Sequence, residues 1–192
     1  MRLAFLLLTA SALAAAQGSV SPQQAEQLHQ KILLIVHHST ASPGVERRTI
    51  ATEPEVNSYL RYKVTQLPQG VTEPTVTLVG QSRISGRAIV DLDAVRQKQS
   101  SGGWLDPMAY LTGKLPVTAS GTLVTKEGSG RFVLDTAEVG GVPMPKTLLH
   151  QIVAYYTRSP EHPSGINFEE PFDLPAGIRR IDIEAGRAVV MQ

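Results

Sequence analysis

Five histidines are the side chains best suited to bind a metal or transfer a proton: His29, His37, His38, His150 and His162. None of them forms a pair with the helical spacing of a metal site around a glutamate, and the chain contains no cysteine. His37 and His38 are neighbours, and neighbouring side chains on a helix point to different sides. We therefore predict no metal site and expect these two histidines at a helix end.

The serines lie outside any recognisable nucleophile motif. Ser82 follows Gly80-Gln81, but Ile84 stands where a nucleophile elbow requires its second glycine. Gly128-Ser129-Gly130 is typical of a hairpin turn rather than a phosphate-binding loop, because no helical pattern follows it. Neither segment indicates a catalytic serine.

Asp91 and Asp93 are alternate residues of a predicted strand, which would place two carboxylates on one face about 7 Å apart. Such a pair could bind a hard cation, although a solvated strand face is the interpretation that exposure statistics favour. With no defensible acid–base pair, we predict no catalytic residue and no cofactor. The sequence indicates a protein that is not an enzyme.

Residues 1–16 have the pattern of a cleavable secretory signal peptide. Arg2 gives a positive start, an apolar run follows from Leu3 to Leu13, and Ala14-Ala15-Ala16 offers a cleavage site before Gln17. The run is too short to span a bilayer comfortably. We therefore expect a periplasmic or secreted protein.

Composition excludes several classes of partner. Removal of the signal peptide takes away Arg2 and leaves 17 basic and 17 acidic residues, so nothing in the net charge favours nucleic acid or an anionic membrane. A cysteine-free exported chain must gain its stability from an apolar core rather than from disulfides.

Three segments have the pattern of helices. Ser21 and Pro22 open the first helix, which is predicted to end near His37-His38. Its apolar positions are Ala25, Leu28, Ile32, Leu33 and Val36. Thr52 and Glu55 have the spacing of a capping box at the start of the second. The third is predicted over Lys146 to Tyr156.

Period-two alternation predicts several hairpins with one apolar face each, in an antiparallel sheet. The fold class is therefore α+β. We expect a single globular domain over residues 17–192, in which 17–51 form an N-terminal helix and linker and 52–192 form the helix-and-sheet unit.

The apolar stripes of these strands mix large residues with small ones, namely Gly86, Ala88, Ala119 and Gly121. Small residues allow a sheet to curve around a guest molecule. They also allow helices to pack closely on the sheet. The sequence alone leaves both interpretations open.

Four segments resemble the tubular lipid-binding (TULIP-like) superfamily of small exported bacterial proteins. The helix opening at 52–60 is similar to the pattern [ST]-E-x-E-[LV]-N-x-[YF]-L. Three further segments also resemble that superfamily: residues 117–123, residues 139–145 with Leu148-Leu149, and residues 174–190. The resemblance covers roughly Thr52 to Gln192 and leaves the first helix as an addition.

The resemblance implies a strongly curved antiparallel sheet wrapped on a helix, with an apolar groove that takes up lipid chains without catalysis. We therefore expect an exported lipid-binding or lipid-shuttling protein that makes transient contact with a membrane. The expected groove is lined by residues of the second helix, the sheet and the last helix: Val56, Leu60, Val64, Leu78, Ile84, Ala88, Val90, Val117, Leu123, Phe132, Leu134, Leu149, Ile152 and Tyr156.

The alternative is a non-catalytic structural protein of the envelope that docks on a partner. Trp104, on a glycine-flanked loop, would then be an interface anchor. A cap over the core is the alternative role for the same side chain.

Overall fold

The computed structural model describes residues 19–40, 46–68, 70–97, 113–156, 164–165, 167 and 169–192. The predicted signal peptide and Trp104 lie outside these residues. The described residues form an α+β fold whose strands pair antiparallel throughout. Its helices are α1 (Pro22–Thr40), α2 (Glu53–Tyr62), α3 (Leu92–Gln97) and α4 (Lys146–Tyr156).

The strands form two sheets, where the sequence predicted one. The three-stranded sheet has the order β1-β9-β8 and contains β1 (Arg48–Thr52), β8 (Arg180–Glu184) and β9 (Arg187–Met191). The six-stranded sheet has the order β2-β3-β4-β5-β6, with β7 also paired to β5. Its strands are β2 (Val71–Gly80), β3 (Arg83–Asp91), β4 (Lys114–Lys126), β5 (Ser129–Val139), β6 (Val142–Pro143) and β7 (Phe172–Asp173).

The boundary that the sequence places after residue 51 falls inside β1. This strand pairs over its whole length with β9 at the other end of the chain, from Arg48 opposite Met191 to Thr52 opposite Arg187. The N-terminal segment is thus tied to the C-terminal hairpin by main-chain hydrogen bonds.

Helix α1 buries a different set of apolar residues from the set that was predicted. Ala25 and Leu28 are buried as expected, whereas Leu33 and Val36 are exposed and Ile35 is buried in their place. Ile35 belongs to an apolar cluster with Leu174 and Ile178. The helix also continues to Thr40, beyond the histidines that were expected to end it.

The prediction that Asp91 and Asp93 lie on one face of a strand is wrong. Strand β3 ends at Asp91 and α3 begins at Leu92, so Asp91 and Asp93 do not alternate along one strand face. Asp91 Oδ1 accepts a hydrogen bond from Ala94 N at 3.0 Å, which caps α3. Asp93 Oδ2 accepts one from Gly113 N at 2.9 Å.

The register of the six-stranded sheet places the predicted groove residues on one face, whereas Ile89, Val124 and Val133 lie on the other. Cross-strand partners share a face, and the ladder joins Ile84 to Leu78 and Gly121, and Gly121 to Leu134. All eight sheet residues predicted to line the groove lie on this apolar face: Leu78, Ile84, Ala88, Val90, Val117, Leu123, Phe132 and Leu134.

Candidate functional site

Helix α2 is fixed at its N-terminus by the predicted capping box. Thr52 Oγ1 accepts from Glu55 N at 3.4 Å, and Thr52 N donates to Glu55 Oε2 at 2.8 Å. Lys31 Nζ on α1 donates to both carboxylate oxygens of Glu55, at 2.7 and 2.8 Å, and to Ile50 O at 2.7 Å. This network fixes where α2 starts relative to α1 and β1.

Side chains of α2 hydrogen-bond the outer edge of β2. Asn57 Nδ2 donates to Val76 O at 2.8 Å, and Asn57 Oδ1 accepts from Val76 N at 2.7 Å. One turn earlier, Glu53 Oε2 accepts from Leu78 N at 2.8 Å. The helix therefore occupies the position of a neighbouring strand and protects an edge that would otherwise offer free main-chain groups.

Strand β2 bulges just before this contact. Thr72 pairs with Ile89 and Thr75 with Arg87, so β2 has one residue more than β3 between these pairs. Within the bulge Glu73 adopts a positive φ of 51°, and Pro74 has no N–H to donate. The ladder is interrupted where the C-terminal half of α2 passes the strand.

A cavity of about 700 Å³ lies between α2, the segment that follows it and the bulged edge of β2 and β3; we call it the edge cavity. Its apolar lining residues are Val20, Leu60, Val64, Leu67, Pro74, Ala88 and Ile89. Its polar lining residues are Asn57, Arg61, Glu73, Thr75 and Arg87. This volume falls within the range typical of small-molecule sites.

Three of the predicted groove residues, Leu60, Val64 and Ala88, line the edge cavity together. Val64 was predicted on the second helix and instead follows its end, because α2 stops at Tyr62. Val56 is half-buried on α2 and is not among the lining residues.

The other predicted residues lie elsewhere. The remaining sheet members share the apolar face with Ala88, and Leu149 is half-buried on α4. Ile152 and Tyr156 lie on α4 as expected, but their side chains are outside the described part of the structure. Of the predicted sheet residues, Leu78 and Leu134 are buried and the rest are half-buried.

The small residues of the apolar face have different surroundings. A Cβ on Gly121 would meet the Phe132 ring and lie 2.5 Å from Val133 O, so this position needs glycine. A Cβ on Gly86 would find only Thr75 O, at 3.9 Å, among the described atoms within 4 Å. Gly121 therefore serves packing, whereas Gly86 adjoins open space.

None of the polar residues that line the edge cavity was predicted from the sequence as a site residue. Pro74 within a strand pattern is a signal for a bulge or an edge strand, and it could have located the interruption of β2. No local pattern shows that Asn57 reaches Val76, since that contact depends on how α2 and β2 meet in space.

Arg61 and Arg87 provide two cations at the edge cavity, and both side chains are exposed. The Arg61 guanidinium lies 5.8 Å from the centre of the Tyr62 ring, a cation–π contact, and no carboxylate of the described residues forms an ion pair with it. Glu73 is the carboxylate among the lining residues.

Among the described residues, no three His, Asp or Glu side chains come together in a way that could hold a metal ion. No helix of the described part is long and apolar enough to span a bilayer. Comparison of the chain with protein-family models, curated proteins and solved structures gave no match.

Proposed function

We propose that the protein binds an acyl chain, or a similarly apolar small molecule, in the edge cavity and does so without catalysis. The observation that carries this proposal is the cavity itself, which joins Leu60, Val64 and Ala88 in a space of about 700 Å³. Seven of the twelve lining residues are apolar, which matches ligand sites that combine an apolar wall with a few polar groups.

Desolvation of hydrocarbon supplies the driving force. Each methylene that leaves water contributes about 0.8 kcal/mol, and the ordering of the ligand offsets part of the total. Apolar side chains such as Leu60 and Leu67 can provide this energy without any reactive group. Residues 17–192 have balanced charge and no catalytic motif, which is consistent with such a role.

The wider proposal is an exported protein of the bacterial envelope that binds or shuttles lipid and contacts a membrane transiently. The pattern of residues 1–16 supports export. We also propose that the six-stranded sheet curves around its apolar guest. Irregularities in register support this, because bulges bend the strands that contain them, and they occur between Thr72 and Thr75 and between Ser120 and Gly121.

The test is displacement of a fluorescent fatty acid from the mature chain, residues 17–192. Val64→Asp should weaken binding about tenfold or more, because a carboxylate would have to share the cavity with the chain. Val124→Asp is the matched control, since Val124 is 47% exposed on β4 and lies outside the cavity lining. Failure of the wild-type protein to bind, or equal weakening by both variants, would contradict the proposal.

A second candidate is a non-catalytic docking protein. The exposed side of α1 favours it, because Leu33, Leu34 and Val36 are 48%, 54% and 51% exposed on one helical turn. Exposed apolar residues that cluster often mark interaction surfaces. This candidate predicts no displacement of the fluorescent fatty acid.

A further inference from the structure

The lining of the edge cavity has a surplus of positive charge. Arg61 and Arg87 both line it and are both exposed, and neither forms an ion pair with a described residue. Glu73 lines the same space without forming an ion pair to either arginine. The cations are therefore available to a ligand.

The two arginines come from separate elements that converge here. Arg61 is in the last turn of α2, and its guanidinium rests near the Tyr62 ring. Arg87 lies on β3 beside the bulge, where its cross-strand partner is Thr75. Because Asn57 anchors α2 to β2, the two guanidinium-bearing side chains border one cavity although 26 positions separate them in the sequence.

We propose, on the basis of the proposed function, that the ligand is a single-chain amphiphile with an anionic head. Arg61 and Arg87 bind the head at the opening, and Leu60, Val64, Leu67 and Ile89 surround the chain. Guanidinium groups form charge-assisted and often bidentate hydrogen bonds with carboxylates and phosphates. A fatty acid or an alkyl phosphate combines both requirements, whereas a neutral ester or alcohol meets only one.

The experiment compares dodecanoate, dodecyl phosphate and methyl dodecanoate by isothermal titration calorimetry at neutral pH. The two anions should bind about tenfold more tightly than the ester, as expected for two partly exposed charge contacts. The double variant Arg61→Gln/Arg87→Gln should abolish this preference, so that dodecanoate binds no more tightly than the ester. Arg83→Gln is the matched control, because Arg83 is an exposed arginine on β3 outside the cavity lining.

The Glu73→Gln variant provides an independent test. Removing this carboxylate should tighten dodecanoate binding about two- to fivefold, because one like charge near the head is lost. Ester binding should change less than dodecanoate binding. If Glu73→Gln changes both ligands equally, head-group recognition at this opening is contradicted.

The remaining outcomes separate this inference from the proposed function. If the ester binds as tightly as the acid and the double variant changes nothing, the inference is wrong and lipid binding stands. If neither dodecanoate nor methyl dodecanoate binds, the inference and the proposed function are both wrong. If acetate or inorganic phosphate competes as strongly as dodecanoate, the arginines bind free anions, and the proposal that the ligand is an amphiphile is wrong.

Discussion

At the scale of single residues, Glu55 joins three elements through one carboxylate. It accepts from Thr52 N at the start of α2 and from Lys31 Nζ on α1, while Lys31 also donates to Ile50 O on β1. Burial of the Glu55 carboxyl opposes its ionisation, but the hydrogen bonds from Lys31 and Thr52 outweigh burial and lower its pKa. The folded state therefore favours the ionised form of Glu55.

Glu55 should make stability depend on pH. A pKa that is lower in the folded state than in the unfolded state adds stability above the unfolded value, about 4.3 for a glutamate. That contribution is lost as the pH falls through the folded-state pKa. The Glu55→Gln variant should lose about 1–3 kcal/mol at neutral pH and show a weaker loss on acidification.

Urea unfolding followed by circular dichroism at neutral and acidic pH measures this difference. Glu26→Gln is the control, because Glu26 pairs with Lys63 at the surface and should leave the unfolding midpoint close to that of the wild type. If Glu55→Gln and the wild type lose the same free energy of unfolding on acidification, the assignment to Glu55 is wrong.

At the scale of elements, the decisive contact is that of α2 with the edge of β2. Asn57 and Glu53 lie one helical turn apart. Asn57 both donates to and accepts from the main chain of Val76, and Glu53 accepts from Leu78 N, two residues further along the strand. One turn of α2 therefore matches two residues of β2 along this edge. The edge cavity begins where this match ends, at the bulge of Glu73 and Pro74.

Asn57→Leu should destabilise the protein by about 2–4 kcal/mol. The substitution keeps the approximate side-chain size but leaves the N–H and C=O of Val76 without their partners. It should also increase aggregation, since the edge of β2 becomes free to pair. Chemical denaturation and light scattering measure the two effects, with exposed Thr77→Leu on the same strand as the control. A stable, monodisperse Asn57→Leu protein would contradict this role.

Local signals predicted local structure. The capping box of Thr52 and Glu55 appears as expected, and α4 covers the predicted range Lys146–Tyr156. The strand alternation also placed the eight predicted sheet residues on one face. Asp93 was wrongly placed on the strand, because the pattern could not show that β3 stops at Asp91 and that the Asp91 carboxylate caps α3.

At the scale of the whole molecule, the tip of the β2–β3 hairpin and the end of β4 join the two sheets. Ser82 N donates to Ile183 O at 3.1 Å, and Gly186 N donates to Leu78 O at 2.8 Å. Thr125 Oγ1 on β4 both donates to Ile181 O and accepts from Ile181 N, at 2.9 Å each. One hydroxyl thus serves two main-chain groups at the edge of β8.

Thr125→Val should weaken the connection between the sheets. The valine keeps the shape and β-propensity of the side chain but leaves both groups of Ile181 without this partner, a loss of about 1–3 kcal/mol. Hydrogen exchange should accelerate in β8 and β9 more than in β2–β5. Thr118→Val, another half-buried position on β4, is the control. Unchanged exchange in β8 would contradict the prediction.

Long-range pairing lay beyond the sequence. Arg48–Thr52 could be predicted as a short extended segment, but its partner β9 lies at the other end of the chain. Such a contact depends on the assembled molecule rather than on any window of residues. The same holds for the edge cavity, whose arginines and apolar walls come from Val20 before α1, from α2 and the segment that follows it, and from β2 and β3.

The most direct test of the central claim is to locate a bound chain by NMR. With ¹³C-labelled dodecanoate and the chain of residues 17–192, intermolecular NOEs should connect ligand methylenes to the methyl groups of Leu60, Val64 and Ala88. A bound ligand that contacts only methyl groups elsewhere, such as those of Leu33 and Leu34 on α1, would contradict the account. So would the absence of any intermolecular NOE.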